Sequence, residues 1–184
     1  MSGNGYKVGG GTRNYSKAPS TKSARQAEFN RQMATGEYDP DRSHFDKSGG
    51  YVLTHNHHNL PNGNDKEQFA ADALAAKGYK VTLSDERSIV RGGKTPDGEL
   101  YNQVMDIKTI HETGPNTIKS RLEKATKHGA TTAVLVQGTS AMSKEYVNAQ
   151  IKHFQENSPA RARAKLQYVI VVGMSGSVHR HKLK

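Results

Sequence analysis

The chain has no cysteine among its 184 residues, which excludes a disulfide framework, a thiolate zinc site and a cysteine nucleophile. Long hydrophobic runs are also missing. No apolar stretch approaches the length of a membrane span, and residues 1–11 lack the apolar segment of a secretory signal. Hydrophobic residues make up only 33% of the chain, while 18 residues are glycine. We therefore expect one core of ordinary size together with a segment that does not pack into it.

Acidic residues are outnumbered. The chain has 17 Asp and Glu residues against 27 Lys and Arg residues, a formal net charge of +10 and a pI of about 9.7. Such a charge suits a partner with dense negative charge, and nucleic acid is the first candidate. An anionic membrane or an acidic protein would be attracted by the same field.

The composition changes near residue 65. Residues 1–64 are rich in Gly, Ser, Asn, Lys and Arg, with isolated apolar residues. This composition predicts a basic leader or linker, in which residues 24–35 are compatible with one short helix. Residues 65–184 are expected to form the folded domain, which would be basic in its own right.

Regular hydrophobic periodicity begins at the same point. Helical spacing predicts helices over residues 65–77, 117–128 and 143–156, and strand-like runs occupy residues 79–83, 100–110, 131–137 and 166–172. Alternation of strands and helices indicates an α/β domain with a mixed central sheet flanked by helices.

The segment 94–110 carries the clearest chemical signal. It places Pro96-Asp97 at a turn, and Asp106 and Lys108 stand two apart on the strand that follows, so both project from one face. A turn or bent hairpin could bring Asp97 beside Asp106. Two convergent carboxylates suit a hard divalent cation such as Mg²⁺.

These residues also have an interpretation without any catalytic role. Asp97 is a favoured residue in a Pro-Asp-Gly turn, and Asp106 and Lys108 could form a solvated strand face. We favour a site because the acid and the base lie within an otherwise apolar strand. A cation held there would polarise a phosphate, and Lys108 would orient a water molecule or stabilise developing charge.

The order helix, strand, PD, nine residues, DxK, helix, strand over residues 65–137 resembles the PD-(D/E)xK nuclease superfamily. The resemblance implies a restriction-endonuclease-like core. It also implies that Asp97, Asp106 and Glu67 are metal ligands and that Lys108 is catalytic. Glu67 has a second interpretation, since a carboxylate in the first turn of a helix is favourable electrostatically.

Several segments are similar to the C-terminal toxin domains of contact-dependent inhibition (CdiA-type) and related polymorphic toxins. They are DKEQFAADALAAKGYKVTL, KTPDGEL, VMDIKTI and NTIKSRLEKATKHGA. That resemblance implies a transfer-RNA nuclease toxin, delivered or secreted from a producer cell and acting in the target-cell cytoplasm, with a cognate immunity protein as partner. Mg²⁺ is the expected cofactor, with Mn²⁺ or Zn²⁺ as alternatives. The chain departs from the pattern in having its own Met1 and no visible delivery segment.

Basic residues near these positions are candidates for phosphate contacts. One group lies in the loop before Asp97 and the other on the helix after the DxK strand, which faces the substrate in the resembling family. For any single lysine of that helix, an ordinary solvated face is the simpler interpretation. The candidates are Arg87, Arg91, Lys94, Lys119, Lys124 and His128.

Two histidine-rich segments complete the sequence. His55, His57 and His58 (HNHH) could bind zinc, but histidine ligands are normally spread over several elements, so we expect a polar loop. Residues 179–184 (HRHKLK) are expected to be a basic tail that adds nonspecific affinity.

Three functions follow from the sequence. The first is a metal-dependent endonuclease of RNA, with transfer RNA favoured by resemblance. The second is a DNA endonuclease with the same four residues, and the third is a basic nucleic-acid-binding domain without catalysis. A real metal site also predicts that divalent cations stabilise the fold, since clustered carboxylates repel one another.

Overall fold

The computed structural model describes residues 21–58, 66–87, 95–138 and 142–183. These residues form one eight-stranded sheet, in which the strands lie side by side in chain order. Three neighbouring pairs are parallel and four are antiparallel. Helices flank this mixed sheet, which confirms the predicted α/β class.

The segment before residue 58 is part of the fold. It contains helix α1 (Lys22–Met33) and strands β1 (His44–Phe45) and β2 (Tyr51–Thr54). All four residues of β2 are buried, and they pair in parallel with the next strand. The short helix expected at residues 24–35 is therefore present, and β2 extends the sheet into the segment that was expected to be a leader or linker. Residues 1–20 lie outside the described part.

Gly50 lets β2 lie against helix α2 (Lys66–Ala76). A Cβ atom at Gly50 would stand 2.1 Å from the carbonyl oxygen of Ala75, closer than any side chain can approach. After α2, the chain turns through Gly78, which has a φ of 88°, into strand β3 (Lys80–Leu83). The helix predicted over 65–77 and the strand predicted over 79–83 are confirmed within the described residues.

The single strand predicted over residues 100–110 is instead a hairpin. Strands β4 (Gly98–Leu100) and β5 (Gln103–Ile110) pair antiparallel around Tyr101 and Asn102, whose φ values are 50° and 63°. Two successive left-handed residues form the kind of tight turn that joins hairpin strands. Tyr-Asn is not the Asn-Gly or Asp-Gly pair that usually marks this turn, so the sequence pattern hid it.

The rest of the sheet follows the predicted alternation. Predictions over 117–128, 131–137, 143–156 and 166–172 are confirmed, and a short helix between the last two was not predicted. The observed elements are α3 (Thr117–Lys127), β6 (Thr132–Gln137), α4 (Lys144–Asn157), α5 (Ala160–Lys165) and β7 (Tyr168–Val172).

The predicted basic tail at residues 179–184 is wrong. Strand β8 (Val178–Lys182) pairs antiparallel with β7 and closes one edge of the sheet. Its charged side chains are largely exposed, as is common on edge strands, so its composition resembles that of a solvated tail. Every helix among the described residues is too short or too polar to cross a membrane.

Two hydrophobic cores lie on opposite faces of the sheet. The first packs α2 against alternate residues of the strands, including Met105 and Ile107 of β5. The second packs α3 and α4 against the intervening residues, including Val104 and Ile110. Asp106 and Lys108 continue the row of Val104 and Ile110, so β5 directs both towards α3.

Candidate active site

Strand β5 holds Asp106 and Lys108 in direct contact. The side chain of Asp106 is fully buried, and that of Lys108 is only 13% exposed. The Lys108 Nζ atom lies 2.5 Å from Asp106 Oδ2. The two residues share one face of the strand, as their spacing predicted, and they form an ion pair shielded from solvent.

Asp97 joins this pair because the β4–β5 hairpin folds back on itself. Asp97 immediately precedes β4, and its Oδ2 accepts a hydrogen bond of 2.5 Å from the Ile107 N–H. The same oxygen lies 3.9 Å from Lys108 Nζ. The turn at Tyr101 and Asn102, which the sequence pattern did not predict, therefore brings the two aspartates together.

The pKa of Asp97 reflects both its burial and the charges around it. Burial raises the pKa of Asp97 to about 7, and the negative charges of Asp106 and Glu67 act in the same direction. Lys108 and the Ile107 N–H act in the opposite direction without cancelling the effect. The structure thus brings Asp97 and Asp106 together beside Lys108, and Glu67 acts on Asp97 through its charge.

Glu67 is the third predicted acid, and it lies on helix α2. It lies in the first turn of the helix, and its side chain is 21% exposed. Its direct contact is His58, whose Nε2 lies 2.7 Å from Glu67 Oε2. The other ring nitrogen of His58 lies 2.9 Å from the Ser84 carbonyl oxygen.

His58 corrects the expectation of a polar loop at residues 55–58. Its side chain is fully buried, whereas His57 is exposed and His55 packs edge-on against Tyr38. Burial lowers the pKa of His58, but the hydrogen bonds with Glu67 and Ser84 and the charges of Glu67 and Glu86 raise it above its usual value overall. Nothing in the spacing of the HNHH letters distinguishes this histidine from its neighbours.

His128 also has a different partner from the one expected. It was a candidate for phosphate contact, but its Nδ1 lies 2.9 Å from Asp106 Oδ1. It caps the C-terminal end of α3. Asp106 is thus held by His128 on one oxygen and by Lys108 at the other.

The remaining basic candidates are dispersed. Lys119 pairs with Glu123 at 2.8 Å, and Arg87 pairs with Asp85 at 2.9 Å. Lys124 lines a cavity of about 480 Å³ beside the end of β5, together with Arg121. Arg91 and Lys94 lie outside the described residues. The structure therefore places the predicted basic residues in several environments, of which only that of His128 adjoins the aspartates.

The cluster fits a hard divalent cation. Asp97 and Asp106 offer carboxylate oxygens, which suit Mg²⁺ or Mn²⁺ better than a metal that prefers nitrogen and sulfur. Asp106 Oδ2 is buried, and the Lys108 ammonium lies 2.5 Å from it. A buried carboxylate oxygen is costly without a positive partner, and Lys108 supplies one here.

A family model described as the contact-dependent growth inhibition CdiA C-terminal domain matches residues 94–178. The match covers less than half of the chain. It includes Asp97, Asp106, Lys108 and His128, and it begins after His58 and Glu67.

The fold is also similar to a solved structure. A chain of the CdiA-CT/CdiI toxin and immunity complex from Burkholderia pseudomallei aligns with a TM-score of 0.51 and 24% sequence identity, over 71% of this chain and 98% of that chain. At this identity the similarity shows a shared fold. Among curated proteins, none matches the chain.

Proposed function

We propose that this chain is a metal-dependent nuclease that acts as a contact-dependent growth-inhibition toxin. The observation that carries the catalytic proposal is the convergence of Asp97 and Asp106 with Lys108 in a shielded cluster. The toxin proposal is supported by the family match over residues 94–178 and by the fold shared with a chain of a toxin and immunity complex.

The cluster contains the groups that phosphodiester hydrolysis needs. Asp97 and Asp106, with Glu67 as a third candidate ligand, would hold the divalent cation, which would supply Lewis-acid stabilisation of the charge on the phosphate. The Lys108 ammonium has three donors, so it can keep its contact with Asp106 while donating to a phosphate oxygen or to the attacking water. His128 and Lys108 hold the Asp106 carboxylate in one orientation.

Nucleic acid is the substrate class that suits the rest of the surface. The net charge of +10 attracts a polyanion. The cavity beside the end of β5, with Arg121 and Lys124 in its wall, offers phosphate contacts close to the site. RNA is the favoured polymer and transfer RNA the favoured substrate, by family resemblance, and DNA is the alternative because the same four residues would cleave it.

The biological setting follows from the toxin proposal. The chain would be delivered from a producer cell, act in the cytoplasm of a target bacterium and be neutralised by a cognate immunity protein in the producer. The B. pseudomallei chain comes from a toxin and immunity complex, which supports a partner of this kind. Expression inside a bacterium without that partner should arrest growth, and Asp106→Asn should relieve the arrest.

The decisive experiment is cleavage by the purified chain. Total RNA and plasmid DNA are each incubated with the wild-type protein in Mg²⁺, in Mn²⁺ or in EDTA. The same reactions contain Asp97→Asn, Asp106→Asn and Lys108→Met. Glu99→Gln serves as the matched control, because Glu99 lies on the same hairpin but is exposed.

The proposal predicts cleavage that needs a divalent cation, fails in the three site variants and persists in Glu99→Gln. The polymer that is cleaved identifies the substrate class. Binding of both polymers without cleavage of either, under each metal, would instead leave a basic nucleic-acid-binding domain.

A further inference from the structure

His58 lies outside the four residues that the nuclease proposal uses, yet its imidazole is the most enclosed histidine ring with a contact to them. Its side chain is fully buried, while that of His128 is 14% exposed. A backbone carbonyl can only accept a hydrogen bond, so the 2.9 Å contact with Ser84 assigns a proton to Nδ1 of His58. The ring orientation is thereby fixed, and Nε2 points at Glu67 from 2.7 Å.

Two roles are compatible with a histidine between acids. His58, Glu67 and Glu86 have ligand atoms within 4.8 Å of one another, which is the spacing of a possible metal site. However, Glu86 Oε1 lies 3.6 Å from Nδ1, the nitrogen that already donates to Ser84 and cannot ligate a metal while it does so. The direction of Nε2 is taken by a hydrogen-bonded carboxylate. The geometry therefore favours a clamp on Glu67 over a separate ion.

We propose that His58 is a positioning residue that fixes the orientation of the Glu67 carboxylate and so sets the affinity of the site for its divalent cation. This inference rests on the proposed function. Glu67 stands in the first turn of α2, and its side chain is 21% exposed, so a fixed partner is needed to hold its carboxylate in one orientation. The buried ring supplies a rigid partner that is anchored to the end of β3 through Ser84. Partners that orient metal ligands commonly contribute 10-fold to 100-fold to metal affinity.

The inference changes which part of the chain builds the site. His58 follows β2, in the segment whose composition suggested a leader, and both His58 and Glu67 precede the family match. Residues 21–58 would then contribute to cation binding as well as to the sheet.

The test is Mn²⁺ binding by the purified full chain, measured by titration calorimetry and by electron paramagnetic resonance. His58→Leu removes the polar contact with Glu67 at similar size, His58→Gln keeps a polar group there, and His57→Gln is the matched control on an exposed neighbour. We expect His58→Leu to weaken Mn²⁺ binding by about 10-fold to 100-fold. His58→Gln should recover part of the loss, and His57→Gln should bind like the wild type.

A thermodynamic cycle guards against a merely misfolded variant. If His58 acts through Glu67, then Glu67→Gln and the double variant Glu67→Gln/His58→Leu bind Mn²⁺ equally. A further loss in the double variant would overturn the inference, as would wild-type affinity in His58→Leu.

The spectrum of bound Mn²⁺ separates the clamp from direct ligation. A ligand-nitrogen coupling in the spin-echo spectrum that disappears in His58→Leu would make His58 a metal ligand and overturn the positioning role. A wild-type chain that binds no Mn²⁺ would overturn the proposed function and this inference together, whereas the outcomes above affect the inference alone.

Discussion

Among single residues, Asp106 shows how the candidate site tolerates buried charge. Its carboxylate has no exposed surface, and the ammonium of Lys108 and the imidazole of His128 lie at 2.5 and 2.9 Å. A desolvated carboxylate is stable only with such partners. Asp97 and Glu67 add further negative charge nearby. The site therefore has more acidic than basic side chains, and a bound metal ion would offset the excess negative charge.

Removal of metal provides the first prediction. Millimolar Mg²⁺ or Mn²⁺ should raise the melting temperature of the wild-type chain relative to EDTA, since a ligand at 100 times its Kd stabilises a fold by about 2.7 kcal/mol. Asp106→Asn should show no such shift, and Glu99→Gln should shift like the wild type. Thermal unfolding followed by circular dichroism measures this. An equal shift in Asp106→Asn would place the metal elsewhere.

Asp97 makes the stability of the metal-free protein depend on pH. Its pKa rises from 3.8 to about 7 on folding, so the folded state retains a proton that the unfolded state has lost. The free energy of unfolding should therefore fall as pH increases from about 4 to about 7, and stay low above that range.

The Asp97→Asn variant isolates this effect. In EDTA at pH 8 it should be more stable than the wild type by about 1–4 kcal/mol, because one pKa unit corresponds to about 1.4 kcal/mol. Its advantage should vanish near pH 4. Urea unfolding at several pH values checks this, and parallel curves for the two proteins would show that another group titrates.

For single residues, contacts between neighbours in the sequence could be predicted, whereas contacts between distant segments could not. Asp106 and Lys108 could be predicted because strand alternation fixes their common face, and Asp97 because a short turn limits its distance. Glu67 required a family resemblance. His58 could not be predicted, because its burial depends on how the loop after β2 packs against Ser84 and α2. His128 was placed on the correct helix, but only the packing of α3 on β5 decides that it faces Asp106.

Among the secondary-structure elements, the close packing of β2 on α2 leaves little room for change. Gly50 is the point of contact, since a Cβ there would meet the Ala75 carbonyl oxygen at 2.1 Å. Ser48 also donates to the same oxygen at 2.8 Å. Because α2 carries Glu67, this packing also fixes the distance between the N-terminal segment and the site.

Substitution of Gly50 tests the importance of this contact. Gly50→Ala should destabilise the chain by about 2 kcal/mol or more, because the backbone must move to admit a methyl group. Gly36→Ala is the comparison. Gly36 has a φ of 75° and open space around its Cβ position, so only the left-handed backbone is penalised, by about 1 kcal/mol. Urea unfolding of both variants should rank Gly50→Ala as the more damaging.

The elements that the sequence identified correctly are those with a strong periodic pattern. The helices and the buried parallel strands β6 and β7 have long apolar stripes or runs, so their ends were placed within a few residues. The hairpin was missed because Tyr101 and Asn102 are an unusual pair for left-handed positions. Strands β2 and β8 were missed because a short strand in polar surroundings carries little periodic signal, and only pairing with a neighbour stabilises it.

For the whole molecule, the net charge of +10 governs association with a polyanion. Most of that charge acts at long range and is screened by salt, whereas a lysine that touches a phosphate releases a counterion. The two contributions can be separated, because only direct contacts change the dependence of binding on salt concentration.

Lys124 and Lys152 offer a matched pair for this measurement. Lys124 lines the cavity beside β5, whereas Lys152 is 73% exposed on α4 and pairs with Glu156. In the metal-free protein, Lys124→Gln should reduce the slope of log K against log salt by about 1. Lys152→Gln should lower affinity slightly without changing the slope. Fluorescence anisotropy with labelled RNA and DNA measures both, and equal slopes in the two variants would exclude a phosphate at the cavity.

The strands lie in the sheet in the same order as in the chain, and this order determines which strands can separate from the sheet first. Within the described residues, no strand must enter between two others that have already paired, so the sheet can grow or fray one strand at a time. The outermost strands are β1, of two residues, and the largely exposed β8, whereas β5 lies between two partners. Amide hydrogens should therefore exchange with solvent first at both margins and last along β5. A partly opened molecule would retain the strand that carries Asp106 and Lys108.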